Sequence, residues 1–368
     1  MALDPSTRAA HGGSARNLGD SSSAAIELGS FYLSQGDPTQ LPYAYGRVGN
    51  PTWEALESAL GEMENARATG FASGLAASFA LMLALGKTHP RLVLASDCYY
   101  GTRKQAQMLA AHGIELISTD HGDFSAVENA LAHGPAILWS ESPTNPLLRV
   151  HDLRRLSALA RVHGARFVVD NTTATAALQQ PLDLGADAVV TSLTKATSGH
   201  SDVILGSVTT RDAAIHDSVR EWRNYAGAIP GPFEAWIALR GLKTLPLRIE
   251  KQSSSATSLA AMLAAHPKVA AVHHPSIGAR ALAETQMRGG FGPLVSFEVK
   301  GGAPAADRAI AAAKIIRPGT SFGGVESSWE RRARWAAETA PEGLIRLSVG
   351  IESLGDLEAD LRSALAAG

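Results

Sequence analysis

Lys195 stands among hydroxyl side chains: the run ADAVVTSLTKATSGHSD (186–202) surrounds it with Ser192, Thr194, Thr197 and Ser198. Upstream, RFVVDNTTAT (166–175) brings an acid, Asp170, to the end of another apolar run. Short, β-rich apolar runs of this kind read as buried strands, and in an open α/β sheet ligands gather at the carboxyl ends of the strands. A partly desolvated amine is a nucleophile, and hydroxyls are donors to a dianionic phosphate. A carboxylate beside a pyridine nitrogen keeps such a ring an electron acceptor. Together these groups fit a pyridoxal 5′-phosphate (PLP) site, with Lys195 bonded to the cofactor aldehyde and Asp170 paired with the ring nitrogen. A lone loop lysine would ordinarily be a solvated surface charge; the strand-end acid and the hydroxyls argue against that here.

The elements that must carry these groups follow from the apolar pattern. The first 50 residues have few periodic apolar positions and many Gly, Ser, Pro and Gln, which predicts an extended N-terminal arm (1–50) without its own core. EALESALGEME (54–64) has helical spacing, and FASGLAASFALMLALG (71–86) reads as a turn entering a buried helix that stops at Gly86. RLVLAS, AILWSES, RFVVDN, AVVTS and DVILGSV read as short strands, with helices such as DLRRLSALARVHG between several of them. That alternation predicts an α/β fold with a mainly parallel, doubly wound sheet over 51–240. Past about residue 240, an Ala-rich helical stretch leads to VAAVHHP, GPLVSFEVKG, IRLSVGIE and a final amphipathic helix, which predicts a smaller C-terminal α+β domain over 241–368.

Composition narrows the class. The 368 residues are 45% hydrophobic and 18% charged, as in folded globular proteins. A formal net charge of −2 argues against nucleic acid as a partner. The single cysteine, Cys98, excludes an internal disulfide framework and suits a reducing compartment. Neither a secretory signal nor an apolar run long enough to span a bilayer is visible, so a cytoplasmic location and no membrane partner are expected. His273 and His274 are adjacent and would point to opposite faces of a strand, so no metal site is expected. No G-x-G-x-x-G or Walker-type loop is present.

Eight motifs occur in a fixed order: YAYGRVGNPT (43–52), FASGLAAS (71–78), DCYYGT (97–102), ESPTNPLLRVHDL (141–153), the Asp170 and Lys195 runs, SFGGVES (321–327) and LIRLSVGIE (344–352). This order resembles the Cys/Met-metabolism family of PLP enzymes, the trans-sulfuration enzymes, over nearly the whole chain, and cystathionine γ-lyase most of all. The resemblance implies fold type I and the following roles. Lys195 is the cofactor lysine, Asp170 the ring-nitrogen partner, and Tyr100 stacks on the ring and assists proton transfer. Gly74 and Leu75 give amides to the phosphate at a helix N-terminus, joined by Ser192 and Thr194. Tyr45 and Arg47 reach the phosphate of a neighbouring subunit, where a planar guanidinium suits the anion. Asn145 contacts the cofactor 3-oxygen and the substrate, while Arg346, with Ser321 nearby, takes the substrate α-carboxylate. For Arg346 there is independent support, because a charge inside LIRLSV needs an anionic partner if it is buried.

The resemblance further implies a small amino-acid substrate and a homotetramer whose sites are shared across a dimer. The chemistry expected is C–S cleavage of a sulfur-containing L-amino acid by γ-elimination, giving a 2-oxo acid, ammonia and a thiol. Alternatives are γ-replacement (cystathionine γ-synthase or O-acylhomoserine sulfhydrylase), cystathionine β-lyase, methionine γ-lyase and a nonenzymatic PLP-binding protein. The family pattern is broken at Thr320, where cystathionine-handling members often carry Glu or Tyr. Thr173, Ala176 and Ala196 are further departures.

Overall fold

Apolar runs five or six residues long build the centre of the molecule, because a strand buried on both faces has no polar side to show. In the computed structural model, which describes residues 3–14, 17–19, 21–336 and 338–368, seven strands form one sheet. They are β1 (Arg67–Phe71), β2 (Arg91–Ala95), β3 (Glu115–Thr119), β4 (Ala136–Glu141), β5 (Arg166–Asp170), β6 (Ala188–Thr191) and β7 (Gly206–Thr210). Their order is β1-β7-β6-β5-β4-β2-β3. The pairings from β3 to β6 are parallel, whereas β7 runs antiparallel to both β6 and β1. The mainly parallel sheet is therefore as expected. Residues 1–2, 15–16 and 20 of the expected arm, and residue 337, lie outside the described residues.

Every residue of β2 and β4 is buried, and helices cover the sheet on both sides. Trp139, Val168, Val190 and Phe71 pack toward the helix Gly74–Gly86, while Leu138, Phe167 and Val169 pack toward the helix Leu153–Val162. The edge strands β1 and β3 escape the apolar signature, since RATGF is half polar or glycine and ELIST is half exposed. The run DVILGSV yields a strand only from Gly206 onward. Leu205 is diverted because its amide and carbonyl both bond the Thr194 hydroxyl.

A second sheet of five strands has the order β10-β11-β12-β9-β8, formed by β8 (Val269–His273), β9 (Leu294–Val299), β10 (Arg317–Pro318), β11 (Ser328–Arg331) and β12 (Leu344–Ser348). It is mostly antiparallel and has its own apolar cluster, including Phe297, Trp329 and Leu361. Between the sheets runs the 20-residue helix Leu245–Ala264. The first fifty residues contribute the short helix Pro5–His11, whose Ala9 is buried, and a largely exposed chain from residue 21 to 49. Among the described residues no helix is long and apolar enough to cross a membrane.

Candidate active site

Parallel strands in register deliver their last residues to one edge. Glu141 at the end of β4 and Asp170 at the end of β5 are aligned neighbours. Both are buried and face one cavity of about 370 Å³. Burial pushes the Asp170 carboxyl up, although the Thr172 amide donates to its Oδ1 at 3.0 Å. Burial raises Glu141 further, and the charge of Asp170 adds to it. Glu141 in turn orders the wall, accepting the amides of Tyr99 (2.6 Å) and Asn145 (2.9 Å). Two buried acids at one cavity edge call for a cation, and a protonated ring nitrogen is one that fits.

Lys195 follows β6 on a tightly held loop. The Thr194 hydroxyl donates to the Leu205 carbonyl at 3.1 Å and accepts its amide at 3.0 Å. Arg248, which is buried, clamps the far side by donating to the carbonyls of Ala196 (2.7 Å), Thr197 (3.1 Å) and Gly241 (2.7 Å). The Lys195 amine donates to the Ser321 hydroxyl at 2.8 Å. Burial, reinforced by the nearby Arg346 charge, lowers its pKa to about 8. An amine so placed is unprotonated far more often near neutrality than an exposed lysine.

The phosphate end is shaped by the start of the helix Gly74–Gly86. Ser73 caps it, accepting the Ala76 amide at 3.0 Å, so the amides of Gly74 and Leu75 lie in the open first turn. A Cβ on Gly74 would stand 2.8 Å from the Ser192 Cβ, so only glycine lets these two walls meet. The Ser192 amide donates to the Thr172 hydroxyl at 2.9 Å. A helix N-terminus beside hydroxyls suits a phosphate.

Across the cavity, β12 supplies Arg346. Its Nη1 donates to the Asn145 side-chain oxygen at 2.8 Å, and its Nη2 to the Ser321 carbonyl at 2.8 Å and to Glu330 at 2.7 Å. Burial, with the neighbouring Arg332 charge, lowers its pKa to about 10, a value at which the guanidinium is still charged. Ser321 sits at φ 82°, a left-handed conformation unusual for serine. Its loop approaches Lys195 through Gly323, where a Cβ would stand 2.4 Å from the Ala196 nitrogen.

Ten of the twelve residues expected from sequence line this cavity: Gly74, Leu75, Tyr100, Asn145, Asp170, Ser192, Thr194, Lys195, Ser321 and Arg346. Tyr45 and Arg47 do not. Arg47 stacks over the half-exposed Tyr45 ring at 5.4 Å and donates to the Asn224 carbonyl at 2.8 Å. Thr194 lines the cavity with its hydroxyl proton already given to Leu205. Sequence reasoning missed Ser73, Glu141, Thr172 and Arg332 as cavity residues. A signal existed for Glu141, since AILWSE ends in an acid just as RFVVD does.

The sheet order and a cavity holding a lysine, a buried acid, a helix N-terminus and a buried arginine define a PLP-dependent enzyme of fold type I. A family model for the Cys/Met metabolism PLP-dependent enzymes matches residues 6–366. The chain belongs to that family, and its cofactor is pyridoxal phosphate. A relative in Streptomyces coelicolor named "Putative cystathionine gamma-lyase" is 44% identical over 338 residues, covering 90% of this chain and 85% of that protein. A cystathionine gamma synthase from Xanthomonas oryzae, solved in complex with cystathionine, superposes with TM-score 0.95 at 36% identity, covering 100% of this chain and 99% of the other. A methionine gamma lyase from Micromonospora echinospora gives TM-score 0.90 at 39% identity, with 99% of both chains covered.

Proposed function

We propose that this protein is a carbon–sulfur lyase that removes the γ-substituent of a sulfur-containing L-amino acid, with water consumed and a thiol, a 2-oxo acid and ammonia released. One observation carries the reading: the Lys195 amine, held by Ser321 at 2.8 Å, shares a cavity with Asp170 and with the Arg346–Asn145 pair. Bound pyridoxal phosphate supplies an aldehyde for the substrate amine and a ring that withdraws electrons from the α-carbon.

The residues supply the rest. Asp170 holds the proton on the ring nitrogen, and Gly74, Leu75 and Ser192 hold the phosphate. Arg346 binds the α-carboxylate, while Asn145 fixes the Arg346 guanidinium from one side and Glu330 fixes it from the other. Lys195 takes the α-proton, and as the one lysine among the described residues that line the cavity it serves the β-carbon in the next transfer. Tyr100 stacks on the ring and assists proton transfer. Tyr45 and Arg47, placed away from their own cavity, complete the phosphate site of a second copy, so the working unit is at least a dimer within a homotetramer. A single cysteine and a small amino-acid substrate fit a cytoplasmic enzyme.

Replacement of the γ-substituent by an incoming thiol is the second reading, favoured by the likeness to a cystathionine gamma synthase. The same residues serve it, because the two reactions part only after the γ-substituent has left. Purified holoenzyme given cystathionine, methionine, homocysteine, cysteine and O-acylated homoserine, with and without added thiol, separates them by product. 2-Oxobutanoate marks γ-elimination, pyruvate β-elimination, and a new thioether replacement. Lys195→Ala is expected to lower turnover by about 10⁴-fold and to abolish the absorbance of lysine-bound cofactor; wild-type turnover in that variant would overturn the assignment.

A further inference from the structure

A second guanidinium reaches the cavity beside Arg346. Arg332 opens the single turn Arg332–Arg334 that follows β11, and it is 3% exposed while lining the cavity wall. Its Nη1 donates to Glu330 Oε1 at 2.5 Å, the oxygen that also accepts Arg346 Nη2 at 2.7 Å. Its Nη2 pairs with Glu338. Among the described residues, the Nε of Arg332 has no hydrogen-bond partner, nor has that of Arg346. A buried charged donor left without an acceptor is unfavourable, and a ligand carboxylate can remedy that.

The acids of this wall are already matched to cations. Glu330 accepts from Arg332, Arg334, Arg346, Trp335 and the Thr320 hydroxyl. Burial works to raise its pKa, but Arg346, Trp335 and Arg332 outweigh it and hold the carboxylate ionised. Thr320 is neutral, so it offers no countercharge to an ammonium. Arg332 also acts electrostatically on Lys195 and on Tyr99, next to Tyr100, so its charge is felt across the cavity.

We propose that Arg332 is a specificity-determining residue that binds a carboxylate at the far end of the substrate's side chain. The class selected is L-amino acids whose γ-substituent ends in an acid and carries no second ammonium, either a carboxyalkyl thioether or a dicarboxylic acyl ester. This rests on the reading that Arg346 takes the α-carboxylate; Arg332, whose Nη atoms are held by Glu330 and Glu338 and whose Nε is unpaired among the described residues, then offers a donor to the second acid.

The test compares matched substrate pairs on the holoenzyme: S-carboxymethyl-L-homocysteine against L-methionine, and O-succinyl-L-homoserine against O-acetyl-L-homoserine. Wild type is expected to favour the acid-ended member of at least one pair in kcat/KM by tenfold or more, and the two pairs separate thioether from ester. Arg332→Gln is expected to shrink that ratio by about 10- to 100-fold, chiefly through KM, with Arg332→Lys recovering part of it. A ratio unchanged within twofold in Arg332→Gln overturns the proposal, as does a wild-type preference for zwitterion-ended cystathionine over both acid-ended compounds.

Binding gives a second readout, the affinity of wild-type holoenzyme for glutarate and butyrate followed through cofactor absorbance. Glutarate is expected to bind more tightly, with its advantage lost in Arg332→Gln. If nothing is turned over yet that Arg332-dependent advantage is seen, the elimination reading falls and the subsite stands. Turnover with no Arg332 dependence gives the reverse. Should Arg332→Gln fail to fold, Arg332→Lys and the wild-type glutarate-to-butyrate ratio decide the matter.

Discussion

The two walls of the cavity are built by different means. One consists of the ends of β4, β5 and β6, where parallel register places Glu141 beside Asp170 and the following loop presents Lys195. The other consists of β12, the loop 319–324 and the turn after β11, which gather Arg346, Ser321 and Arg332 around Glu330. The first wall is acid-rich and the carboxyl pKa values there rise through burial. The second is arginine-rich, and its central carboxylate is held ionised. The difference matches two tasks: the acidic wall suits a cationic cofactor ring, and the basic wall suits an anionic substrate.

The comparison breaks most sharply at Asp170. Asp170→Asn keeps the size and removes the charge, so on the proposed reading the ring nitrogen would lose the partner that keeps its proton. A drop in kcat of about 10²- to 10³-fold is expected, as for removal of one preorganised electrostatic partner, while the melting temperature of the apoprotein holds or rises because a buried acid has been neutralised. The sign of that stability change follows from the raised pKa. In the folded chain Asp170 stays protonated above its unfolded value of about 3.8, so the carboxyl form lowers stability as pH climbs past that value. Unchanged kcat in Asp170→Asn would remove the acidic wall from the chemistry.

The acidic wall was legible in the sequence because its information is local. Five-residue apolar runs ending in Asp170 or leading to Lys195 carry strand, strand end and functional group within one window. Glu141 obeys the same rule, as AILWSE ends in an acid just before SPTNP. The basic wall was half legible. Arg346 stood out as a charge inside LIRLSV, but Arg332 lies in ERRARW, whose charge density reads as a solvated surface. Its burial comes from the pairing of β11 with β12 and from acids at 330 and 338, which no local pattern announces. The edge strands β1 and β3 were hidden for a related reason: one exposed face or a glycine dilutes the apolar run, and β1 pairs with β7, far along the chain. Tyr45 and Arg47 were found by motif, and a single chain leaves them outside its own cavity.

Burial chiefly, and the charge of Arg346 on the basic wall after it, set the acidity of the Lys195 amine on the other wall, and pH resolves that coupling. With its pKa near 8, Lys195 in the apoprotein is protonated below that pH and free above it. The rate at which added pyridoxal phosphate becomes lysine-bound is therefore expected to rise about tenfold per pH unit below 8 and to level off above it. An exposed lysine would keep climbing toward pH 10. Arg346→Gln removes the cation that acts most strongly on the amine, which favours the ammonium, so the plateau moves to higher pH. Stopped-flow absorbance over pH 6–10 reads both effects. A wild-type rate still rising at pH 10, or a plateau that moves down in Arg346→Gln, would show that the walls are not coupled.

The smallest effect tests the one contact where the walls touch. The Ser321 hydroxyl accepts from the Lys195 amine while the Ser321 carbonyl accepts from Arg346, so a single strained residue spans both sides. Ser321→Ala deletes the hydroxyl and leaves the carbonyl, the positive φ and Arg346 in place. A net hydrogen bond is worth about 1 kcal/mol, so kcat/KM is expected to fall by only about 5-fold. The loss should be in kcat, because Lys195 positioning changes and the carboxylate site does not. A rise in KM with kcat intact would instead place the Ser321 hydroxyl on the substrate and overturn its role in positioning Lys195.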